Sequence, residues 1–341
     1  MLKIKKSELA TLFAKISEDN ALFLPVKSAG KTNFALWSED VQVDLDTLKT
    51  VKSPKDAFFP QSENLYSCNR EDGRTKIVPE KLQDAPFVLF GVRACDVRAM
   101  EVLDRVFLSE PVDSYYAARR AHGTVVSYAC HEPETSCFCK VFGIDCAAPQ
   151  GDVVIWAVGD EFYWKAQTEK GEALTAQVRQ LLTEGEDAVV EQEQAAIRAI
   201  VEKLPYSGLS LEKWGADAAS RNFDSPLWEQ LYKPCLACGT CTFVCPTCQC
   251  YDIKDYNTGS GVQRFRCWDS CMYSDFTMMA HGNNRNSQMQ RFRQRFLHKL
   301  AYFPANNDGM FSCVGCGRCV DSCPTHLNIV KVIKAFEKEG V

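Results

Sequence analysis

Two cysteine runs with the same spacing constrain this chain more than any other feature. Cys235, Cys238, Cys241 and Cys245-Pro246 follow C-x2-C-x2-C-x3-C-P, and Cys313, Cys316, Cys319 and Cys323-Pro324 repeat it. Three thiolates two residues apart wrap a tight loop around one 4Fe-4S cubane, while the fourth, set off by a turn and a proline, points to the neighbouring cluster. The spacing therefore predicts one cluster on Cys235, Cys238, Cys241 and Cys323, and a second on Cys245, Cys313, Cys316 and Cys319. Gly239 and Gly317 follow the second cysteine of each run. A residue without Cβ lets backbone amides come close to cluster sulfurs there. A zinc ribbon would use two separated C-x2-C pairs, which three cysteines in step followed by Cys-Pro do not match.

The whole chain carries 18 cysteines in 341 residues. No export signal is visible at the N-terminus MLKIKKSELATLF, so a cytoplasmic, reducing setting is expected, where cysteines serve metals and not a disulfide framework. No run of eighteen apolar residues suggests a membrane span. Residues 225–341 hold 13 Lys and Arg against 9 Asp and Glu, a local +4 within a chain whose net charge is -5. A pI near 5.7 argues against a nucleic-acid partner. Basic side chains among the cysteines instead suit the negative charge that four thiolates leave on a cubane.

An α+β fold is predicted, with an α/β-type domain over residues 1–222 and an α-helical, ferredoxin-like dicluster domain over 223–341. The apolar run PFVLFGV at 86–92 reads as a buried strand, followed by a loop and a helix over VRAMEVLDRVF. TVVSYA at 124–129 reads as a second strand, and residues 153–168 as a hairpin around Gly159-Asp160. Helices are expected within 172–204, joined by the acidic stretch TEGEDAVVEQEQ as a solvated link. Pro205, Gly208, Gly215 and Pro226 punctuate the boundary region. Residues 246–312 are read as helical in content, and GSGVQR at 259–264 as a loop. In RFRQRFLHKL, Phe292, Phe296 and Leu300 form an apolar face, with Arg291, Arg293, Arg295 and Lys299 on the other sides. Those cations either face solvent or balance cluster charge and dock a partner.

A third site is predicted in the first half. Cys95 follows one predicted strand and Cys130 the other; if the strands are parallel neighbours, both emerge at the sheet edge where open α/β sheets place ligands. Cys137 and Cys139 in CHEPETSCFCK would complete four ligands for a cluster. Zinc or plain core thiols are the alternatives, and Cys146 could replace one of the four. Cys68, Cys248, Cys250, Cys267 and Cys271 have no assigned role; Cys248, Cys250 and Cys271, close to a ferredoxin run, either ligate a further cluster or line the core near one, and core thiols are favoured.

The stretches GVRACDVRAMEVLD, CHEPETSCFC, CGTCTFVCPTCQCYDIKD, RCWDSCMYSDFTMMAHGNNR, RQRFLHKL and CVGCGRCVDSCP together resemble one family of iron–sulfur subunits, found both in anaerobic sulfite reductase and as the β subunit of cytosolic NiFe sulfhydrogenases. That resemblance implies a relay of electrons within a hetero-oligomer, linking a flavin subunit that handles NAD(P)H to a catalytic metal subunit, sirohaem or NiFe. It also favours Cys95, Cys130, Cys137 and Cys139 as ligands of a third cluster. RACD at 93–96 resembles the sulfite reductase version, since the hydrogenase subunits usually have proline in place of Ala94, whereas YYAARR and TEKGEAL lean the other way.

No complete catalytic site is legible: G-x-G-x-x-G and Walker motifs are absent. Two other classes are weighed beside the relay. One is a self-sufficient iron–sulfur flavin oxidoreductase, which a yellow spectrum of the purified chain would reveal. The other is a cluster-based redox sensor, which would need an effector element such as a basic DNA-reading helix.

Overall fold

A computed structural model describes residues 1–71 and 73–338. Its centre is an eight-stranded mixed sheet. The strands are β1 (Leu2–Lys5), β2 (Ala21–Ser28), β3 (Lys31–Leu36), β6 (Phe87–Val92), β7 (Gly123–Tyr128), β8 (Val153–Val158), β9 (Glu161–Ala166) and β10 (Thr183–Glu184). They lie in the order β10-β1-β9-β8-β7-β6-β2-β3. The middle pairs β2 with β6, β6 with β7 and β7 with β8 are parallel, and the flanking pairs are antiparallel. Every residue of β6 is buried, as a strand covered on both faces requires. The predicted strand, helix and hairpin thus appear where the apolar runs placed them, with α2 (Ala94–Phe107) leading from β6 toward β7.

One face of the sheet packs Leu12, Phe13 and Ile16 of α1 (Leu9–Ser17) and Leu174 and Val178 of α4 (Glu169–Val178). On the other, Val190, Ile197 and Val201 of α5 (Asp187–Glu202) meet Val154 and Trp156. The acidic stretch read as a link is therefore largely helix: Asp187 to Gln194 form the first half of α5, and Val190 anchors it in the core.

The C-terminal helical core gathers Trp228, Phe292, Phe296, Leu300, Ile333 and Phe336. Three features tie it to the first half. Trp214 and Ala218 pack into it, with the Trp214 ring tilted against that of Phe336, centroids 4.9 Å apart. Strands β11 (Tyr251–Asn257) and β12 (Gly261–Trp268) form a hairpin, and β12 pairs antiparallel with β4 (Ser62–Glu71), which pairs with β5 (Arg74–Pro79). Arg266 of β12 is buried in ion pairs with Glu63 and Asp113. Contacts thus cross the expected boundary at residues 222 and 223, and within 246–312 the expected helical content lies at Gln288–Leu297 while residues 251–268 form the hairpin. GSGVQR is the hairpin turn and the start of β12, not a free loop.

Candidate metal centres

Cys235, Cys238, Cys241 and Cys323 line one small cavity with Arg295, Phe292 and Phe296. These are the four thiols that the crosswise reading of the two runs assigns to a single cubane, and they come from opposite ends of a segment of about ninety residues. Gly239 and Gly317 both hold left-handed backbone, with φ of 72° and 80°, at the residue before the short helices Thr240–Phe243 and Arg318–Asp321. A Cβ at Gly239 would meet the Tyr273 hydroxyl at 2.5 Å, so glycine serves both the turn and the close approach.

Cys313 and Cys316 each lie within electrostatic reach of Cys245 and Cys319, and Cys319 of Cys245. Burial pushes Cys313 up to about 12 and Cys319 upward, while Lys299 pulls Cys313, and Arg295 and Lys299 pull Cys319, back down. Cys245 is held well below its ordinary value, first by the Cys248 thiol donating to it, then by Lys299.

The cations here are inside the protein. Arg295 is 3% exposed and Lys299 4%. Neither forms an ion pair with a carboxylate among the described residues, and Arg295 Nε has no hydrogen-bond partner there. Burial alone would lower Lys299, but Cys245, Cys248 and Cys313 raise it far above its usual value, and Cys241 and Cys319 do the same for Arg295. Buried unpaired cations are expensive unless anions face them. Cluster-bound thiolates supply that charge, so the donor set, the cavity and the orphaned guanidinium nitrogen fit two cubanes.

The N-terminal thiols also converge. Cys130 follows β7 and Cys95 sits in the first turn of α2, at the carboxyl ends of adjacent parallel strands. Cys137 and Cys139 arrive on the loop after β7, Cys139 within electrostatic reach of both and Cys137 of Cys130. Cys146 is a fifth member: its thiol hydrogen-bonds with those of Cys130 and Cys139, and the Cys130 amide donates to its carbonyl at 3.0 Å. Burial raises Cys95 well above the ordinary thiol value and Cys137 to about 11. Among the described residues no three His, Cys, Asp or Glu side chains are arranged to hold a metal ion. The thiolates of a cubane bind four different irons and so stand around a larger body than the ligands of one ion do.

This group abuts the second ferredoxin run. The Phe138 amide donates to the Gly315 carbonyl at 2.9 Å, and a Cβ at Gly315 would stand 2.5 Å from the Phe138 carbonyl carbon. Arg318, one residue before Cys319, forms a buried two-point ion pair with Asp96, the neighbour of Cys95, at 2.6 and 2.8 Å. Lys49 reaches Asp321 and the Ser136 hydroxyl at 2.5 Å each and Glu134 at 2.7 Å.

Residues 234–327 match the family model of the 4Fe-4S dicluster domain. Over its full length the chain aligns with Sulfhydrogenase 2 subunit beta of Pyrococcus furiosus, 31% identical over 344 residues that cover 100% of this chain and 99% of that protein. The chain belongs to that iron–sulfur subunit family. No solved structure matches it. Membership fits both the α+β architecture and the 4Fe-4S chemistry of the C-terminal part.

Several residues of these centres carry little signal in the sequence. Cys146 is legible only as a substitute ligand, and Asp96, Arg318 and Lys49 are ordinary charges in surface-like contexts. What singles them out is burial beside the thiols, a property of the packed molecule.

Proposed function

We propose that the chain is a relay subunit of a hetero-oligomer, carrying electrons between a flavin subunit linked to NAD(P)H, on one side, and a catalytic metal subunit of the sirohaem or NiFe type on the other. Kinship with a sulfhydrogenase β subunit favours the hydrogenase-type partner. In this reading Cys235, Cys238, Cys241 and Cys323 hold one 4Fe-4S cluster, Cys245, Cys313, Cys316 and Cys319 a second, and Cys95, Cys130, Cys137 and Cys139 a third. A bound 4Fe-4S cluster takes up and gives back one electron at a time.

The contiguity of the three thiol groups carries this reading. Cys95 lies within electrostatic reach of Cys316, and Cys241 of both Cys245 and Cys319. The Phe138–Gly315 hydrogen bond and the Asp96–Arg318 pair hold the first of these junctions rigid. Arg295 and Lys299, both buried, favour the more negative, reduced state of their neighbours. Cys238 is the exposed thiol of the first set, and beside it Leu236 is 66% exposed, so the outer end of the row reaches the surface.

The anaerobically purified, flavin-free chain is expected to be reduced by dithionite and to leave NAD(P)H unoxidised. Direct NAD(P)H oxidation by that chain would overturn the relay and favour a self-sufficient oxidoreductase. The three sites together call for about twelve irons.

A further inference from the structure

Three thiols outside the proposed ligand sets meet beside the second one. Cys250 and Cys271 hydrogen-bond through their thiols, as do Cys248 and Cys245, and Cys248 lies within electrostatic reach of Cys250. They come from different places: Cys248 and Cys250 follow Pro246 in the tail of the first run, and Cys271 follows β12. The backbone fixes their approach, since the Asp269 amide donates to the Cys250 carbonyl at 2.9 Å and the Thr247 hydroxyl to the Ser312 carbonyl at 2.5 Å. Cys271 is buried, and Cys248 and Cys250 are half-buried.

A second observation points to an anion there. Lys55 is 3% exposed and forms no ion pair with a carboxylate among the described residues. Its ammonium donates to the Cys248 carbonyl at 2.7 Å and sits 3.9 Å over the Trp268 ring. The groups that face it electrostatically are Cys248, Cys245 and Cys250, with Lys299 as a second cation on the same thiols. Lys55 faces Cys248 and Cys250 of this set together with Cys245 of the second site, and Arg295 and Lys299 also face Cys248. Burial pushes the Lys55 ammonium down from its ordinary value, and a buried unmatched cation is costly; metal-bound thiolates beside it would keep it charged and match it.

We propose that Cys248, Cys250 and Cys271 form a fourth iron–sulfur site, a cluster held by three protein thiolates with Lys55 as its buried counter-charge. It would stand against Cys245, directly beside the second ferredoxin-type cluster. The proposal rests on the reading of Cys245 as a ligand of that cluster, but its test does not.

Iron and acid-labile sulfide per chain are compared between the full-length, anaerobically reconstituted wild type and the variant Cys248→Ser/Cys250→Ser/Cys271→Ser. The expected result is a loss of about three to four irons, with the reduced-state paramagnetic spectrum of the ferredoxin pair retained. Because the readout is a difference, it holds whatever total the other sites contribute. Iron content equal to the wild type overturns the proposal, and so does a loss that takes the ferredoxin pair's spectrum with it in a folded variant. Should the triple variant not fold, Cys271→Ala alone, which only shortens one side chain, serves instead. It is expected to lower iron while leaving the pair's spectrum, and unchanged iron in that variant overturns the site equally.

Discussion

Asp96 and Arg318 meet across the junction of the two halves, 2% and 3% exposed, and each is the sequence neighbour of a proposed cluster ligand. Removing one partner of such a pair leaves an uncompensated buried charge, which costs about 3–5 kcal/mol. Asp96→Ala is therefore expected to lower the anaerobic unfolding free energy by roughly that much, read from denaturant melts; a change below about 0.5 kcal/mol, the scale of ordinary surface substitutions, would mean that the pair is solvated. Arg295 permits a different test. Removing its charge leaves the nearby thiolates with less compensation, so Arg295→Met should shift one reduction potential downward. A unit charge about 6 Å away in an effective dielectric near 20 is worth ~3 kcal/mol, on the order of 100 mV for one electron. Potentiometric titration followed by paramagnetic resonance reads it, and an unmoved potential would reduce Arg295 to a packing residue.

Elements differ in how plainly the sequence announces them. The strands β6 and β7 are legible because both faces are buried and the residues run apolar without interruption, and the two cysteines after them can be placed at one sheet edge for the same reason. The hairpin of β11 and β12 is not. Most of β11 is exposed on both faces, so no apolar alternation marks it, and it is held by cross-strand bonding to β12, which in turn pairs with β4. The burial of Lys299 is also hidden: after the Gln288–Leu297 helix the chain makes a π-helical turn over His298–Tyr302, which shifts the register so that Lys299, Leu300 and Ala301 are all buried. The two ferredoxin loops offer a paired test. The residue just before the second cysteine of each run is left-handed in both, Ala237 with φ of 53° and Gly315 with φ of 59°. Ala237→Gly relieves strain of ~1–2 kcal/mol but adds unfolded-chain freedom of about 0.5–1 kcal/mol, so stability should rise by no more than about 1.5 kcal/mol. Gly315→Ala instead drives a methyl into the rigid backbone of Phe138 and Cys139, at 2.5 and 2.6 Å. It should cost about 1–3 kcal/mol from overpacking alone and loosen the Cys137–Cys139 loop, measured as faster iron release to a chelator. Equal release rates in the two variants would mean that the loops are not coupled.

At the scale of the whole molecule, the two halves behave as one body organised around thiols. The second ferredoxin run shares a core with β8, α5 and the N-terminal cysteines, through Val314 and Cys316. No helix among the described residues is long and apolar enough to cross a membrane. The proposed third cluster at the sheet edge beside the ferredoxin pair is tested by the iron content of the anaerobically purified Cys95→Ser/Cys130→Ser variant. Serine is close to cysteine in size but a poor ligand for iron in this setting, and the strands leading to both positions have their own apolar core, so packing should change little. The expected result is a loss of about four irons with the paramagnetic spectrum of the ferredoxin pair unchanged. Iron content equal to the wild type would contradict the claim and leave Cys95 and Cys130 as core thiols.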